Sequence, residues 1–168
     1  MRELENKTAE QLVQAYGDMV YRLAYAQTRA RSDADDIFQE VFLRVVRKRP
    51  QFESAAHEKA WLLRVTINCT KSHFLRARLL LAAPLDDQIA FTDPENQGLD
   101  EALGKLPAKY RAVIHLFYYE GYSAEEIAGM LGEKPSTVRT RLTRARYKLR
   151  DILKGDAEDV SRTLPQNE

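Results

Sequence analysis

The sequence predicts an all-α protein built from two small helical domains, and three observations lead to this prediction. Apolar residues recur at steps of three and four along most of the chain, and no stretch shows the alternation typical of a strand. Residues 79–98 contain Pro84, Pro94, Gly98 and several acids, which is the composition of a flexible acidic linker. A helix-turn-helix signature follows this linker.

The bulk composition excludes several classes of protein. Of the 168 residues, 44% are apolar, yet no run approaches the ~18–20 apolar residues of a spanning helix. The N-terminus lacks the apolar region of a secretion signal. Cys69 is the single cysteine, so we expect no disulfide and interpret it as a buried structural thiol. We therefore expect a soluble cytoplasmic protein without membrane insertion.

The first domain is predicted at residues 8–78 and contains three helices. Leu12, Tyr16, Met19 and Leu23 place one face of the first helix in the core. Asp33 is predicted to cap the second helix, which ends before Pro50. The predicted bounds of the three helices are 9–30, 34–48 and 57–78.

The second domain is predicted at residues 99–153 and carries the helix-turn-helix. Ser123 and Glu126 have the spacing of a capping box, Gly132 supplies a tight turn, and Pro135 suits a first helical turn. We expect the polar residues 154–168 to form a disordered tail. The predicted helices are 100–104, 107–119, 123–130 and 136–153.

The last helix has the surface of a DNA-recognition helix. Residues 134–150 carry seven basic residues and no acid. A projection at 100° per residue sets short hydroxyl side chains and arginines opposite the buried stripe. Small polar residues let a helix enter the major groove, and arginine reaches guanine or phosphate. A basic but solvated helix of a bundle is the alternative. The buried stripe comprises Val138, Leu142, Ala145, Leu149 and Ile152.

The segment Thr137–Arg146 closely resembles the recognition helix of extracytoplasmic-function sigma factors. Leu106–Arg111 and Tyr122–Ala128 match the preceding part of sigma region four. This resemblance implies that the last helix reads the minus-thirty-five promoter element and that the domain contacts the polymerase flap. The implied DNA-binding residues are Ser136, Thr137, Arg139, Thr140, Arg141, Thr143, Arg144 and Arg146.

The segment Asp33–Val45 resembles the polymerase-binding helix of sigma region two. In that family this surface docks on the clamp helices of the largest polymerase subunit. Acids near a helix N-terminus also favour the helix dipole, which is the purely structural alternative. The implied polymerase-binding residues are Asp35, Asp36, Gln39, Glu40 and Leu43.

The segment Ala60–Asn68 resembles the promoter-melting helix of the same family. The resemblance places a flipped minus-ten base at the preceding loop, although Phe52 equally suits an anchor of that loop in the core. Trp61 is interpreted as a core residue. The chain departs from many relatives in having Ser72 where they carry an acid. The implied minus-ten residues are Phe52, His57, Lys59, Arg64, Asn68 and Lys71.

Together the resemblances imply an alternative sigma factor, with core RNA polymerase, promoter DNA and an anti-sigma factor as partners. The linker at 79–98 would thread through the polymerase. No catalytic constellation, cofactor motif or metal-site spacing is evident, so we expect neither an enzyme nor a metalloprotein. An activator that does not replace the sigma subunit, and an adaptor built of two interaction bundles, remain alternatives.

Overall fold

A computed structural model describes residues 7–80 and 97–163, with side chains at positions 156–163 left out. The described part is helical and contains no strand, which confirms the all-α prediction. Most of the predicted linker, residues 81–96, lies outside the described residues. The helices are α1 (Ala9–Thr28), α2 (Arg31–Lys48), α3 (Ala55–Leu79), α4 (Gln97–Gly104), α5 (Ala108–Ile114), α6 (Ala124–Leu131) and α7 (Pro135–Thr163).

Helices α1, α2 and α3 form a three-helix bundle. Their predicted apolar faces meet in one core, in which Leu12, Ile37 and Val41 are almost fully buried. A capping box between Thr8 and Gln11 starts α1. The bundle positions two exposed helix faces, one on α2 and one on α3.

The start of α2 differs from the prediction. Ala30 occupies the N-cap position and makes no side-chain capping bond, so the expected cap by Asp33 is wrong. Asp33 lies within the first turn of the helix, where its carboxylate accepts a 2.8 Å hydrogen bond from His73 of α3. The carboxylate is thus engaged by a residue forty positions away in the sequence rather than by the helix N-terminus. Rules based on local sequence do not reveal such a distant partner.

Helices α4 to α7 form the second domain, with the predicted helix-turn-helix in α6 and α7. The reciprocal bonds of the capping box between Ser123 and Glu126 are present. Gly132 ends α6 with a φ of 67°, a left-handed conformation that suits glycine. Helix α7 begins at Pro135, as predicted. Val138 and Leu142 of α7 are buried, so its opposite face is presented to solvent.

Two helix ends of the second domain differ from the prediction. The single predicted helix at 107–119 is α5 followed by a π-helical turn at His115–Tyr119. Helix α7 continues past 153 to Thr163, so the expected disordered tail is wrong as far as that residue. Gly155 costs a helix only ~1 kcal/mol, so a single glycine does not by itself end α7. Residues 164–168 lie outside the described part.

The two domains pack against each other through an apolar interface. Leu23 of α1 and Leu63 and Ile67 of α3 lie in one buried cluster with residues of the second domain. Their partners from α5, the π-helical turn and α6 include Val113, Leu116 and Ile127. The arrangement is therefore closed, with one face of α3 covered by the second domain.

Hydrogen bonds from Arg111 also stabilise this interface. The Arg111 guanidinium of α5 donates to the carbonyl oxygens of Ala26 and Gln27, in the last turn of α1, and to that of Leu106. Burial, with a smaller contribution from the charge of Arg29, lowers the pKa of Arg111 to about 10. The carbonyl oxygens carry the negative end of the α1 dipole, which suits a cation.

An ion pair also joins the C-terminal end of α1 to α4. Arg29 forms a 2.7 Å ion pair with Asp100 and also donates to the Asp100 carbonyl oxygen. The hydrogen bond to Asp100 raises the pKa of Arg29. Across residues 7–80 and 97–163, no helix is long and apolar enough to cross a membrane.

Candidate DNA and polymerase interfaces

The outward face of α7 carries the predicted minus-thirty-five residues. Ser136, Thr140, Thr143 and Arg144 are exposed, and the three hydroxyl side chains keep the face low enough for close approach to a surface. The Thr140 hydroxyl donates a 2.9 Å hydrogen bond to the Ser136 carbonyl oxygen. The remaining predicted residues of this surface are half-buried or exposed at its edges, namely Thr137, Arg139, Arg141 and Arg146.

Three arginines of this surface have partners in the free protein. Arg139 and Arg141 form ion pairs of 2.9 Å with Glu125 and Glu133, respectively. Arg146 donates to the Tyr118 hydroxyl. Ion pairs at such exposed positions contribute only ~0–1 kcal/mol, so phosphate or guanine can replace the glutamates at little cost.

Lys109 is a cation that the sequence interpretation did not assign to this surface. It lies on α5 and lines a polar cavity of about 340 Å³ together with Ser136, Thr140, Arg141 and Arg144. Its ammonium lies over the ring of Tyr110 at 5.2 Å from the centroid. The cavity thus brings three cations from two helices together beside the short hydroxyl side chains, which is suited to a phosphate group. Lys109 falls within the matched Leu106–Arg111 segment, which is the signal that locates it.

The exposed face of α3 carries three of the predicted minus-ten residues. Arg64, Asn68 and Lys71 recur at helical spacing and are all exposed, so they form one polar stripe. The stripe lies on the part of α3 that neither the bundle nor the second domain covers. A row of two cations and an amide is suited to following one nucleic-acid strand.

Lys59 does not join this stripe. Its ammonium lies 3.2 Å from a carboxylate oxygen of Glu120 in the second domain and over the ring of Tyr122. The Glu120 side chain is 9% exposed, whereas that of Lys59 is 36% exposed. In the closed arrangement, Lys59 is thus engaged by the second domain rather than free for DNA.

The loop before α3 places Phe52 against the core. Its ring packs edge-on against Trp61 and His57, with centroid separations of 5.6 and 5.5 Å. Trp61 itself packs on the core of the bundle, in keeping with its interpretation as a core residue. His57 accepts a hydrogen bond from the backbone of Glu53 and is exposed. Of the two predicted loop residues, His57 is the accessible one.

A buried acid beside this loop was missed by sequence reasoning. Glu58 is buried and forms a 2.7 Å ion pair with Lys7. Burial, followed by a hydrogen bond to Glu58, raises the pKa of Tyr16 to about 12. These contacts fix the start of α3, and hence the orientation of its exposed stripe.

The exposed face of α2 brings four of the five predicted polymerase-binding residues together. Asp36, Gln39, Glu40 and Leu43 line one polar pocket of about 240 Å³. Asp35 is exposed and does not line this pocket. Burial, followed by the negative charge of Asp35, raises the pKa of the Tyr21 hydroxyl. An amide, two carboxylates and an apolar side chain together suit a partner surface that is basic and partly apolar.

Val46 extends the same face. It is 56% exposed, one helical turn beyond Leu43, which is 46% exposed. The sequence interpretation left Val46 out because an exposed valine cannot be distinguished from a buried one by periodicity alone. Two neighbouring exposed apolar side chains mark this end of α2 as a contact surface.

Cys69 is buried and free, as interpreted from the sequence. It lies on α3 at the inner wall of the pocket that α2 lines. Burial raises the pKa of the thiol, so Cys69 stays protonated and unreactive in the closed protein.

Comparisons with known proteins match both domains of the chain. The family model for Sigma-70 region 2 matches residues 12–79, and the one for Sigma-70, region 4 matches residues 96–149. The chain is 35% identical to the ECF RNA polymerase sigma factor SigE of Mycolicibacterium smegmatis, over 92% of this chain and 65% of that protein. It is 32% identical to the ECF sigma factor SigM of Mycobacterium tuberculosis, over 86% of this chain and 76% of SigM.

The closed fold also has a counterpart among solved structures. The sigma factor RpoE of Bartonella quintana, solved in complex with the anti-sigma factor NepR, superposes with a TM-score of 0.69. The match has 26% identity and covers 86% of this chain and 96% of that one. From the region 2 and region 4 matches and the identity to SigM, the chain belongs to the extracytoplasmic-function sigma factors.

Proposed function

We propose that this protein is an alternative sigma factor, which binds core RNA polymerase and directs promoter-specific initiation of transcription. The observation that carries the proposal is the pairing of two surfaces on one chain. A capped helix-turn-helix exposes a basic, hydroxyl-rich face on α7, and α2 exposes an acidic and apolar face. Each surface alone fits other classes of protein, whereas the pair fits a sigma factor.

The domain at 99–153 reads the minus-thirty-five duplex through α7. Arg144 is exposed and forms no ion pair within the described part of the chain. A good bidentate contact to a base discriminates by about 1–3 kcal/mol. Lys109 and Arg141 flank it and are suited to phosphates, which fix the register of the helix.

The domain at 8–78 engages the opened minus-ten strand through α3. Arg64 and Lys71 follow the sugar-phosphate backbone, while Asn68 lies between them with a group able to read a base edge. Lys59 becomes available only when the second domain releases it from Glu120. Phe52 anchors the loop before α3 by packing on Trp61, and so supports this surface. His57 is exposed and is available to contact DNA.

Binding to core polymerase allows these individually weak DNA contacts to select a promoter. Asp36, Gln39, Glu40 and Leu43 dock on a basic surface of the polymerase, with Val46 at the edge. Tethering both DNA-reading domains to one enzyme makes the second contact effectively intramolecular. The chain itself performs no chemistry, because nucleotide addition belongs to the polymerase. It acts where promoters are transcribed, in the bacterial cytoplasm.

We also infer that an anti-sigma factor controls the protein. The similarity to RpoE, which was solved with NepR, supports this inference. The closed arrangement supports it as well, because a partner that bridges the two domains would keep Lys59 paired and α3 partly covered.

A core-binding measurement tests the proposed function against that of a DNA-binding activator. Labelled protein is titrated with sigma-free core polymerase, and Asp36→Lys is compared with Asp18→Lys, the same change at an exposed position on α1. We expect the first variant to weaken binding at least tenfold, since a like charge would face the basic partner, and the second to leave it unchanged. Absence of binding by the folded wild-type chain would favour the activator.

A further inference from the structure

The N-terminal part of α2 and the C-terminal part of α3 bring three potential metal ligands together. Asp33 and Asp36 lie one turn apart on α2, and His73 faces them from α3. One ligand atom from each of the three lies within 4.8 Å of the others, and Nε2 of His73 is 2.8 Å from Oδ1 of Asp33. Imidazole and carboxylate groups converge here although forty residues separate Asp33 from His73.

The cluster opens onto the polar pocket already described on α2. Asp36 and His73 line that pocket, and so does Cys69, one helical turn before His73. Cys69 is only 1% exposed, and its thiol is free. The buried thiol thus lies in the pocket wall, and the converging ligand atoms come from Asp33, Asp36 and His73.

We propose that Asp33, Asp36 and His73 bind a divalent transition-metal cation, with Zn²⁺ as the best fit. Bonds of about 2.0–2.2 Å to nitrogen and oxygen would set the ligand atoms roughly 3.3 Å apart. The His73–Asp33 separation is within about half an ångström of this value. The Asp36 carboxylate is exposed, so a rotation of its side chain brings its oxygen into place.

The ligand set selects the class of metal. The imidazole of His73 favours zinc and its first-row neighbours over Mg²⁺ and Ca²⁺, which prefer oxygen ligands alone. Three protein ligands leave a fourth position for water. Binding also clamps α2 to α3, in addition to their apolar contacts.

The bound cation would affect the proposed function directly. Asp36 belongs to the α2 surface that we propose for polymerase, and a cation would neutralise it and occupy the pocket. The site would thus make polymerase binding sensitive to zinc. This consequence rests on the proposed function, whereas binding of the metal does not.

Zinc binding to the full-length protein is measured by calorimetry, without polymerase. We expect one Zn²⁺ per chain, and at least a tenfold loss of affinity in Asp33→Asn and in His73→Ala. Asn at position 33 retains an oxygen that can pair with His73, so this variant separates metal binding from the hydrogen bond. Asp18→Asn, on an exposed part of α1, is the matched control and should bind as the wild type does.

Two results would overturn the proposal. One is the absence of saturable binding, and the other is an affinity that Asp33→Asn and His73→Ala leave unchanged. A core-binding assay with and without Zn²⁺ then tests the consequence separately. Zinc should weaken polymerase binding by the wild type at least tenfold, and leave binding by His73→Ala unchanged.

Discussion

Arg111 of the second domain donates hydrogen bonds across the domain interface to the end of α1. It donates to three backbone carbonyl oxygens and has no carboxylate partner among the described residues. We predict that Arg111→Ala lowers the free energy of unfolding by about 2 kcal/mol, because buried carbonyl groups lose their donor. Urea denaturation measures this value. Lys109→Ala, two residues away and exposed, should change it by less than about 0.5 kcal/mol.

His115 makes the stability of the closed protein depend on pH. Burial lowers the pKa of His115 below its ordinary 6.5, and the opposing effect of Glu120, 3.6 Å away, is smaller. The unfolded chain therefore binds the proton more readily, so stability is full above about pH 7 and is lost as pH falls through about 6.5.

We predict that the wild type and His115→Gln differ in how much stability they lose as pH falls. Urea denaturation at about pH 7.5 and about pH 5.5 should show a larger loss of stability in the wild type than in His115→Gln. Groups remote from His115 titrate alike in both proteins, so the difference reports on this imidazole together with its neighbour Glu120. An equal loss in both would contradict a buried, proton-disfavouring environment for His115.

At the residue scale, the sequence indicated which α7 side chains face outward, but it did not indicate the partners of Lys59 and Phe52. The outward positions of α7 follow from periodicity, because a single buried stripe sets its orientation. Lys59 was predicted to contact DNA, and in the structure it is paired with Glu120. Phe52 was predicted either to contact DNA or to anchor the loop, and its ring packs on Trp61. Both contacts come from parts of the chain that a local pattern does not include.

At the scale of helices, capping decides how firmly the helix-turn-helix is held. We predict that Ser123→Ala lowers the free energy of unfolding by about 1 kcal/mol, since the backbone N–H of Glu126 loses its acceptor. Ser136→Ala on α7 is the matched substitution, because no hydrogen bond to its hydroxyl is found in the described part. Chemical denaturation compares the two. Equal losses would mean that the capping box contributes nothing specific.

Helix bounds were predictable where local chemistry sets them. Ser123, Gly132 and Pro135 fix the ends of α6 and the start of α7, and each acts on its own backbone. The π-helical turn after α5 was not predictable, because its residues read as ordinary helix formers. Its position follows from packing, since Leu116 within it is fully buried in the interdomain cluster.

For the whole molecule, the closed arrangement is the feature that the sequence did not reveal. Leu23 is predicted as a core position of the first domain, yet in the structure it packs together with Leu63 and Ile67 against the second domain. Periodicity identifies a buried face but does not say which neighbour buries it. The arrangement covers one side of α3 and pairs Lys59 with Glu120, so a contact between Lys59 and DNA would require this ion pair to break.

The most direct test of the central claim, sigma activity, is run-off transcription of fragmented source-genome DNA by sigma-free core polymerase. The wild-type chain should produce discrete new transcripts. Arg144→Ala should reduce them by about tenfold through lost promoter contact, and Asp36→Lys through lost polymerase binding. Asp18→Lys, at the exposed position on α1, is the control and should keep full activity. No new transcript from the folded wild-type protein would contradict the proposed function.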